Sequence, residues 1–140
     1  SVLRLGCTAE FSERPDGYPG LKKRYNFEFS KVNAMDPGLV YSAARDGEVD
    51  VIDAFATDGR IPAFGLKVLQ DDKNFFPPYY AAPIVRNDAL QKYPELKEVL
   101  NRLGGKLTND EMAKLNAQVD LERKSPADVA RQWLKQQGII

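Results

Sequence analysis

The 140-residue chain contains no histidine and a single cysteine, Cys7. Without histidine, the side chain that most often serves as a general base near neutrality and as a metal ligand is gone. With one cysteine, neither an intrachain disulfide framework nor a cysteine-based zinc site can be built. An excess of either charge is lacking too. The 20 basic and 20 acidic side chains cancel, with 9 against 10 in residues 1–70 and 11 against 10 in residues 71–140. No basic face therefore points to nucleic acid. No apolar run approaches the ~18 residues that a membrane span requires, and no charged-then-apolar leader is present. The sequence starts on Ser1 rather than Met and enters at once on "SVLRLGC", as an excised or processed segment would. Compartment stays open on these grounds.

The same absences bear on catalysis. Ser12, Ser30, Ser42 and Ser125 have no histidine to activate them, and no G-x-S-x-G elbow surrounds any of them. The glycines of "GYPGLKK" and "RLGGKLT" are not at P-loop spacing, so a phosphate cradle has no support. The acidic pairs Asp71 with Asp72 and Asp50 with Asp53 have the makings of a two-carboxylate or hard-cation site. Solvated charges at turns and strand ends are their ordinary reading.

What is present is one domain's worth of chain, 43% hydrophobic, enough for one real core. "VLRLGCTA" (2–9) reads as a strand, and "EFSERPDGYPG" (10–20) as a loop whose prolines and glycines forbid regular structure. "LKKRYN" reads as a short helix and "FEFSKVN" as a strand. "DPGLVYSAARDGE" (36–48) is a helix with Asp36 as N-cap, Pro37 in its first turn and Gly47 near its end. "VDVIDAFA" (49–56) is a buried strand ending in the turn "TDGR". The alternation from 1 to 56 predicts a mostly parallel sheet flanked by helices, with ligands expected at the carboxyl ends of its strands. After the strand-like "LKVLQD" and "AAPIVR" the texture changes near residue 86. Residues 87–140 read as helices, with Thr108 and Glu111 as a capping box and Ser125, Pro126 and Gly138 bounding the last one.

The most unusual stretch is "FFPPYYAAPIVR" (75–86), four aromatic rings around two prolines. Phe55 at a strand end, the cluster Phe75, Phe76, Tyr79 and Tyr80, and Arg14 on a proline-held loop are candidates to converge above the sheet. Aromatic faces attract a desolvated cation by about 2 kcal/mol each in good geometry, and quaternary ammonium groups are frequent guests. A guanidinium beside such a cage repels the cation unless the ligand also carries an anion, which Arg binds through a bidentate fork. Rings plus one arginine thus point to a zwitterion such as a betaine. The competing reading makes the rings core and Arg14 a surface ion pair with Glu13 and Asp16, and composition alone leaves both open.

Three motifs, "ERPDGYPGLKKRY", "MDPGLVYSAARDGEVDVIDAFATDGRI" and "FFPPYYAAPIVR", in that order, resemble the quaternary-amine class of ABC-transporter substrate-binding proteins. These are the glycine betaine, carnitine and choline binders of osmoprotectant uptake. The resemblance continues through the C-terminal helices. It implies an α/β fold, one lobe of a type II periplasmic-binding-protein (Venus flytrap) architecture with a mostly parallel sheet flanked by helices. Residues 1–86 match the second lobe, and residues 87–140 match the helical segment that returns to a first lobe absent from this sequence. It also implies a non-enzymatic solute-binding component without catalytic residue, cofactor or metal, placed outside the cytoplasm and serving an ABC permease.

Residue by residue, the resemblance puts Arg14 against the ligand carboxylate and Phe55 and Tyr79 in the cage, with Thr57 and Tyr80 beside them as further ligand-binding positions. Phe55 stands where the family often has tyrosine, which keeps the π face and loses a hydroxyl. Tyr80 stands where an acidic residue commonly follows, and as the extended-chain neighbour of Tyr79 it faces away unless the register slips by one. The double proline holds the ring of Tyr79 ready and reduces the entropy lost on binding. Glycine betaine, carnitine, choline and ergothioneine are the candidate ligands, with Arg14 favouring carboxylated ones. Half a cage binds weakly, and surface made for an absent lobe favours dimerisation or strand exchange. The alternative is a sensor or protein-interaction module on the same fold.

Overall fold

The computed structural model describes residues 2–140, which form two compact units, one ending at Pro77 and the other spanning Pro78–Ile140. The first unit is built on a three-stranded parallel sheet in the order β2–β1–β3. Its elements are β1 (Arg4–Cys7), α1 (Ala9–Glu13), α2 (Tyr18–Tyr25), β2 (Lys31–Ala34), α3 (Pro37–Arg45), β3 (Val51–Ile52) and α4 (Arg60–Ala63). β1 lies in the middle, with Leu5 opposite Val32 on one side and Val51 on the other.

The central strand explains the core. Leu5 and Cys7 are buried, and Tyr18 completes their cluster, with Phe11, Phe29 and Val51 packed around it. Val40, Tyr41 and Ala43 are the buried residues of α3, at the spacing a helical stripe requires. Burying each large apolar side chain contributes about 1.5–3 kcal/mol relative to leaving it in water. Between the core residues, Gly6 admits the side chain of Val49: a methyl built there would sit 2.9 Å from Val49 Cγ2. Burial pushes the Cys7 thiol pKa up to about 11, with the Asp53 carboxylate adding to it.

Helix ends follow their chemistry. Asp36 accepts from the N–H of Gly38 at 2.7 Å with Pro37 at the first position of α3, and Gly47 just beyond takes φ +74°. The loop expected over 10–20 is in fact helical at both ends. Thr8 accepts from the N–H of Phe11 and nucleates α1, and α2 already starts at Tyr18, with Pro19 in its first turn where a missing N–H costs nothing. Between them the backbone closes tightly on itself. A methyl at Gly17 would lie 2.2 Å from the carbonyl of Phe11, and one at Gly20 would lie 2.3 Å from that of Pro15.

β3 is shorter than the strand read over 49–56, because β1 pairs with it only through Leu5 and Gly6 and its other edge is open. The strand-like segments "LKVLQD" and "AAPIVR" are not strands either. Among the described residues no further strand joins the sheet to satisfy their backbone groups, and Val68, Leu69 and Ile84 face solvent.

The second unit contains α5 (Asn87–Lys92), α6 (Leu96–Asn101), α7 (Asn109–Asp120) and α8 (Pro126–Gln136). Thr108 caps α7 by accepting from the N–H of Glu111. The reciprocal half of the expected box is replaced, because Glu111 instead accepts from Trp133 Nε1 at 2.9 Å and ties α7 to α8. Ser125 takes the capping position of α8 with Pro126 following, but its side chain makes no capping bond.

Candidate functional site

The carboxyl ends of β1 and β3 share one edge of the sheet, and the chain leaves it through Thr8 and Asp53. Thr8 does three things there. Its hydroxyl accepts from Phe11 N–H to start α1, the same hydroxyl donates to one oxygen of Asp53 at 3.2 Å, and its own N–H donates to the other oxygen at 3.3 Å. The start of α1 is thereby tied to the end of β3. Burial raises the Asp53 carboxyl above its ordinary pKa, against the pull of the two Thr8 bonds.

Arg14 is the C-terminal residue of the α1 cap, and its backbone N–H donates to the carbonyl of Glu10. Its guanidinium holds Asp16 through Nε and Nη2 and donates from Nη1 to Glu10 Oε1 at 2.8 Å. The surface ion pair of the competing reading is present, then, with Asp16 as one partner and Glu10 in place of Glu13 as the other. The paired carboxylates push the Arg14 pKa further up, so it is a permanent cation. A guanidinium has more N–H donors than these bonds use, which leaves donors on Nη1 and Nη2 for a further anion.

Phe55 lies beyond β3 with its ring 79% exposed. Its backbone is held at both ends: its N–H donates to the Tyr41 hydroxyl at 3.4 Å, and its carbonyl accepts from Asp58 N–H at 2.9 Å. Thr57 sits half-buried inside this same turn. Arg60 closes it, donating to both oxygens of Asp58 at 3.0 and 2.7 Å while its guanidinium lies 3.9 Å from the centre of the Tyr41 ring. That face of Tyr41 is therefore filled by the protein's own cation and is closed to a ligand.

The four rings of "FFPPYY" divide between the units. Phe75 and Phe76 pack edge to face at 4.9 Å, Phe75 lies against Gly20, and both backbone N–H groups donate to Asp71, which also accepts from the Tyr25 hydroxyl. Phe75 is thus a packing ring, contrary to the expected aromatic cluster, and Asp71 is a loop anchor. Tyr79 and Tyr80 belong to the second unit, outside regular structure, with rings 80% and 88% exposed. Of the other acidic candidates, Asp50 is paired with Arg4. Among the described residues no group of acidic or cysteine side chains is arranged to hold a metal.

Sequence reasoning did not single out Thr8, Tyr41, Asp58 or Arg60. "CTAEF" carried a capping signal, Thr8 followed by an acidic residue in the first turn, which the prolines further on obscured. Tyr41 read only as part of an apolar helix stripe.

Residues 2–136 match the family described as the substrate binding domain of an ABC-type glycine betaine transport system. The chain belongs to that family. Among curated proteins, the carnitine transport binding protein OpuCC of Listeria monocytogenes is 43% identical over 95% of this chain and 44% of its own length. An ergothioneine transport permease and binding protein, EgtU of Helicobacter pylori, is 39% identical over 96% of this chain and 24% of its own. A glycine-betaine-binding protein of Pseudomonas aeruginosa is 38% identical over 94% and 43%. The chain thus spans less than half the length of these relatives. Among solved structures, a glycine betaine/carnitine/choline ABC transporter protein superposes with TM-score 0.91 at 47% identity, over 98% of this chain and 50% of the other. Apo YehZ of Escherichia coli superposes with TM-score 0.80 at 31% identity, over 100% and 52%. The α/β architecture expected from the sequence, a parallel sheet flanked by helices in a periplasmic-binding-protein fold, is the one found. The family is one of substrate-binding proteins, not enzymes, and its members work outside the cytoplasm. Among the described residues no helix is long and apolar enough to cross a membrane.

Proposed function

We propose that this chain is the second lobe, with its C-terminal helices, of the solute-binding component of an ABC importer for trimethylammonium zwitterions. Phe55 and Tyr79 supply two faces of an aromatic cage, Arg14 meets the ligand carboxylate, and Thr57 and Tyr80 border the site. The observation that carries this reading is the exposure of the two cage rings. Phe55 and Tyr79 stand about four-fifths in solvent, while Phe75, four residues before Tyr79, is consumed by packing on Gly20. A large ring left in water beyond the carboxyl end of β3, as Phe55 is, offers its face to a ligand that needs one. The protein acts outside the cytoplasm and hands its ligand to a permease. With one lobe the cage is half built, so the lone chain binds weakly and its exposed apolar surface favours self-association.

The test is calorimetric titration with glycine betaine, carnitine, choline and ergothioneine of a form that carries both lobes, beside Arg14→Ala and Tyr79→Ala. The reading expects one ligand to bind tightly and both variants to lose at least tenfold. No binding of any of the four by the intact two-lobed form overturns it in favour of an interaction or sensor module.

A further inference from the structure

Tyr41 lies on α3, is buried in the first unit, and takes no place in the cage, since Arg60 covers its face at 3.9 Å. Its hydroxyl nevertheless reaches the one backbone position from which the cage ring of Phe55 projects, accepting its N–H at 3.4 Å. Asp58, which closes the turn on Phe55, is itself clamped by Arg60 through its backbone N–H at 2.9 Å and through two guanidinium nitrogens. The carbonyl of Phe55 closes the turn by accepting Asp58 N–H. The Phe55 backbone is therefore held at its N–H by a buried phenol on the helix behind the sheet and at its carbonyl by Asp58 of its own turn.

We infer that Tyr41 is a positioning residue for ligand binding: by fixing the backbone of Phe55 it sets the direction in which that exposed ring presents its face. The inference rests on the cage reading given above. A ring that is 79% exposed has few side-chain contacts to orient it, so its direction is set from the backbone. A preorganised ring loses less freedom when the ligand arrives, and affinity rises accordingly. Arg60 contributes by holding the Tyr41 ring in one place through cation–π contact while neutralising Asp58.

Tyr41→Phe removes the hydroxyl and keeps the ring under Arg60. The experiment follows the 140-residue chain by NMR, measuring amide hydrogen exchange and titrating with glycine betaine at millimolar concentrations. We expect the Phe55 amide to exchange about tenfold faster while Leu5 and Gly6 in the sheet keep their protection. Glycine betaine affinity falls about threefold to tenfold, the worth of one hydrogen bond. Unchanged affinity overturns the inference, as does a loss that accompanies equal deprotection of the sheet, which marks a general structural role. Should Tyr41→Phe fail to fold, Asp58→Asn loosens the same turn from its other partner and is read in the same way. A wild-type chain silent toward glycine betaine, carnitine and choline, as the chain and in two-lobed form, overturns the cage reading first and this inference with it. A responding wild type with an indifferent Tyr41→Phe overturns the inference alone.

Discussion

At the amino ends of β1 and β3, Arg4 and Asp50 close on each other through Arg4 N–H, Nε and Nη2 at 2.8 to 3.0 Å, in contact with solvent. Three residues on, at the carboxyl end of β3, Asp53 pairs with no cation among the described residues; it is half-buried and accepts from the N–H and hydroxyl of Thr8. The two aspartates titrate in opposite directions as a result. Hydrogen bonds from Arg4 lower the Asp50 pKa from 3.8 to about 2, and desolvation raises that of Asp53. One edge of the sheet satisfies its charges for the sake of the fold. The other accepts a poorly solvated carboxylate, a close turn that only glycine fits and a solvent-facing Phe55, features that the proposed role of that edge in ligand binding explains.

The comparison breaks most completely if the close backbone turn that carries Arg14 is dispensable. Gly17→Ala forces a methyl to 2.2 Å from the Phe11 carbonyl, and we expect a loss of about 3 kcal/mol in urea unfolding. Thr8→Val removes the α1 cap and both hydroxyl contacts at once, and about 1–2 kcal/mol should go by the same measurement.

The aspartates sharpen the contrast through pH. A carboxylate with a depressed folded pKa contributes stability that is present above the ordinary value near 4 and is lost as pH falls through the folded one. Asp50→Asn should therefore lower stability at pH 6, with the difference from wild type vanishing near pH 2. Asp53 has the opposite sign. Its raised pKa makes the folded state bind the proton more readily, so its contribution improves as pH falls from 6 toward 4, and Asp53→Asn should remove that rise. Chemical denaturation across pH 2–7 reads both.

The smallest effect is kinetic. Cys7, wholly buried with its thiol raised to about 11, should resist a thiol reagent in the native chain and react promptly in urea. Ready native labelling would mean that the central strand opens.

The sequence made the framework legible where local chemistry and tertiary structure agree. Asp36 with Pro37 begins a helix and Gly47 ends it, and the alternation of β1, β2 and β3 with helices gives the parallel sheet. It misled where a contact distant in sequence decides. Glu111 left its box for Trp133, Phe75 packs on Gly20 as well as on Phe76, and "LKVLQD" lacks, among the described residues, the neighbouring strand that would make it one. The proposed cage positions came from resemblance in three motifs. The network behind them, Tyr41, Asp58 and Arg60, was invisible because each residue has an ordinary local reading and only the fold brings them together.

If the carboxyl edge of the sheet, where Phe55 stands in water, faces the ligand, glycine betaine perturbs that edge and spares the opposite one. Backbone NMR shifts of the labelled chain with increasing glycine betaine test it most directly. Saturable shifts are expected at Arg14, Phe55, Thr57, Tyr79 and Tyr80, with Arg4, Asp50 and the α7 to α8 contact at Trp133 unmoved. Shifts concentrated at Arg4 and Asp50, or along α8, with the five positions silent would contradict it.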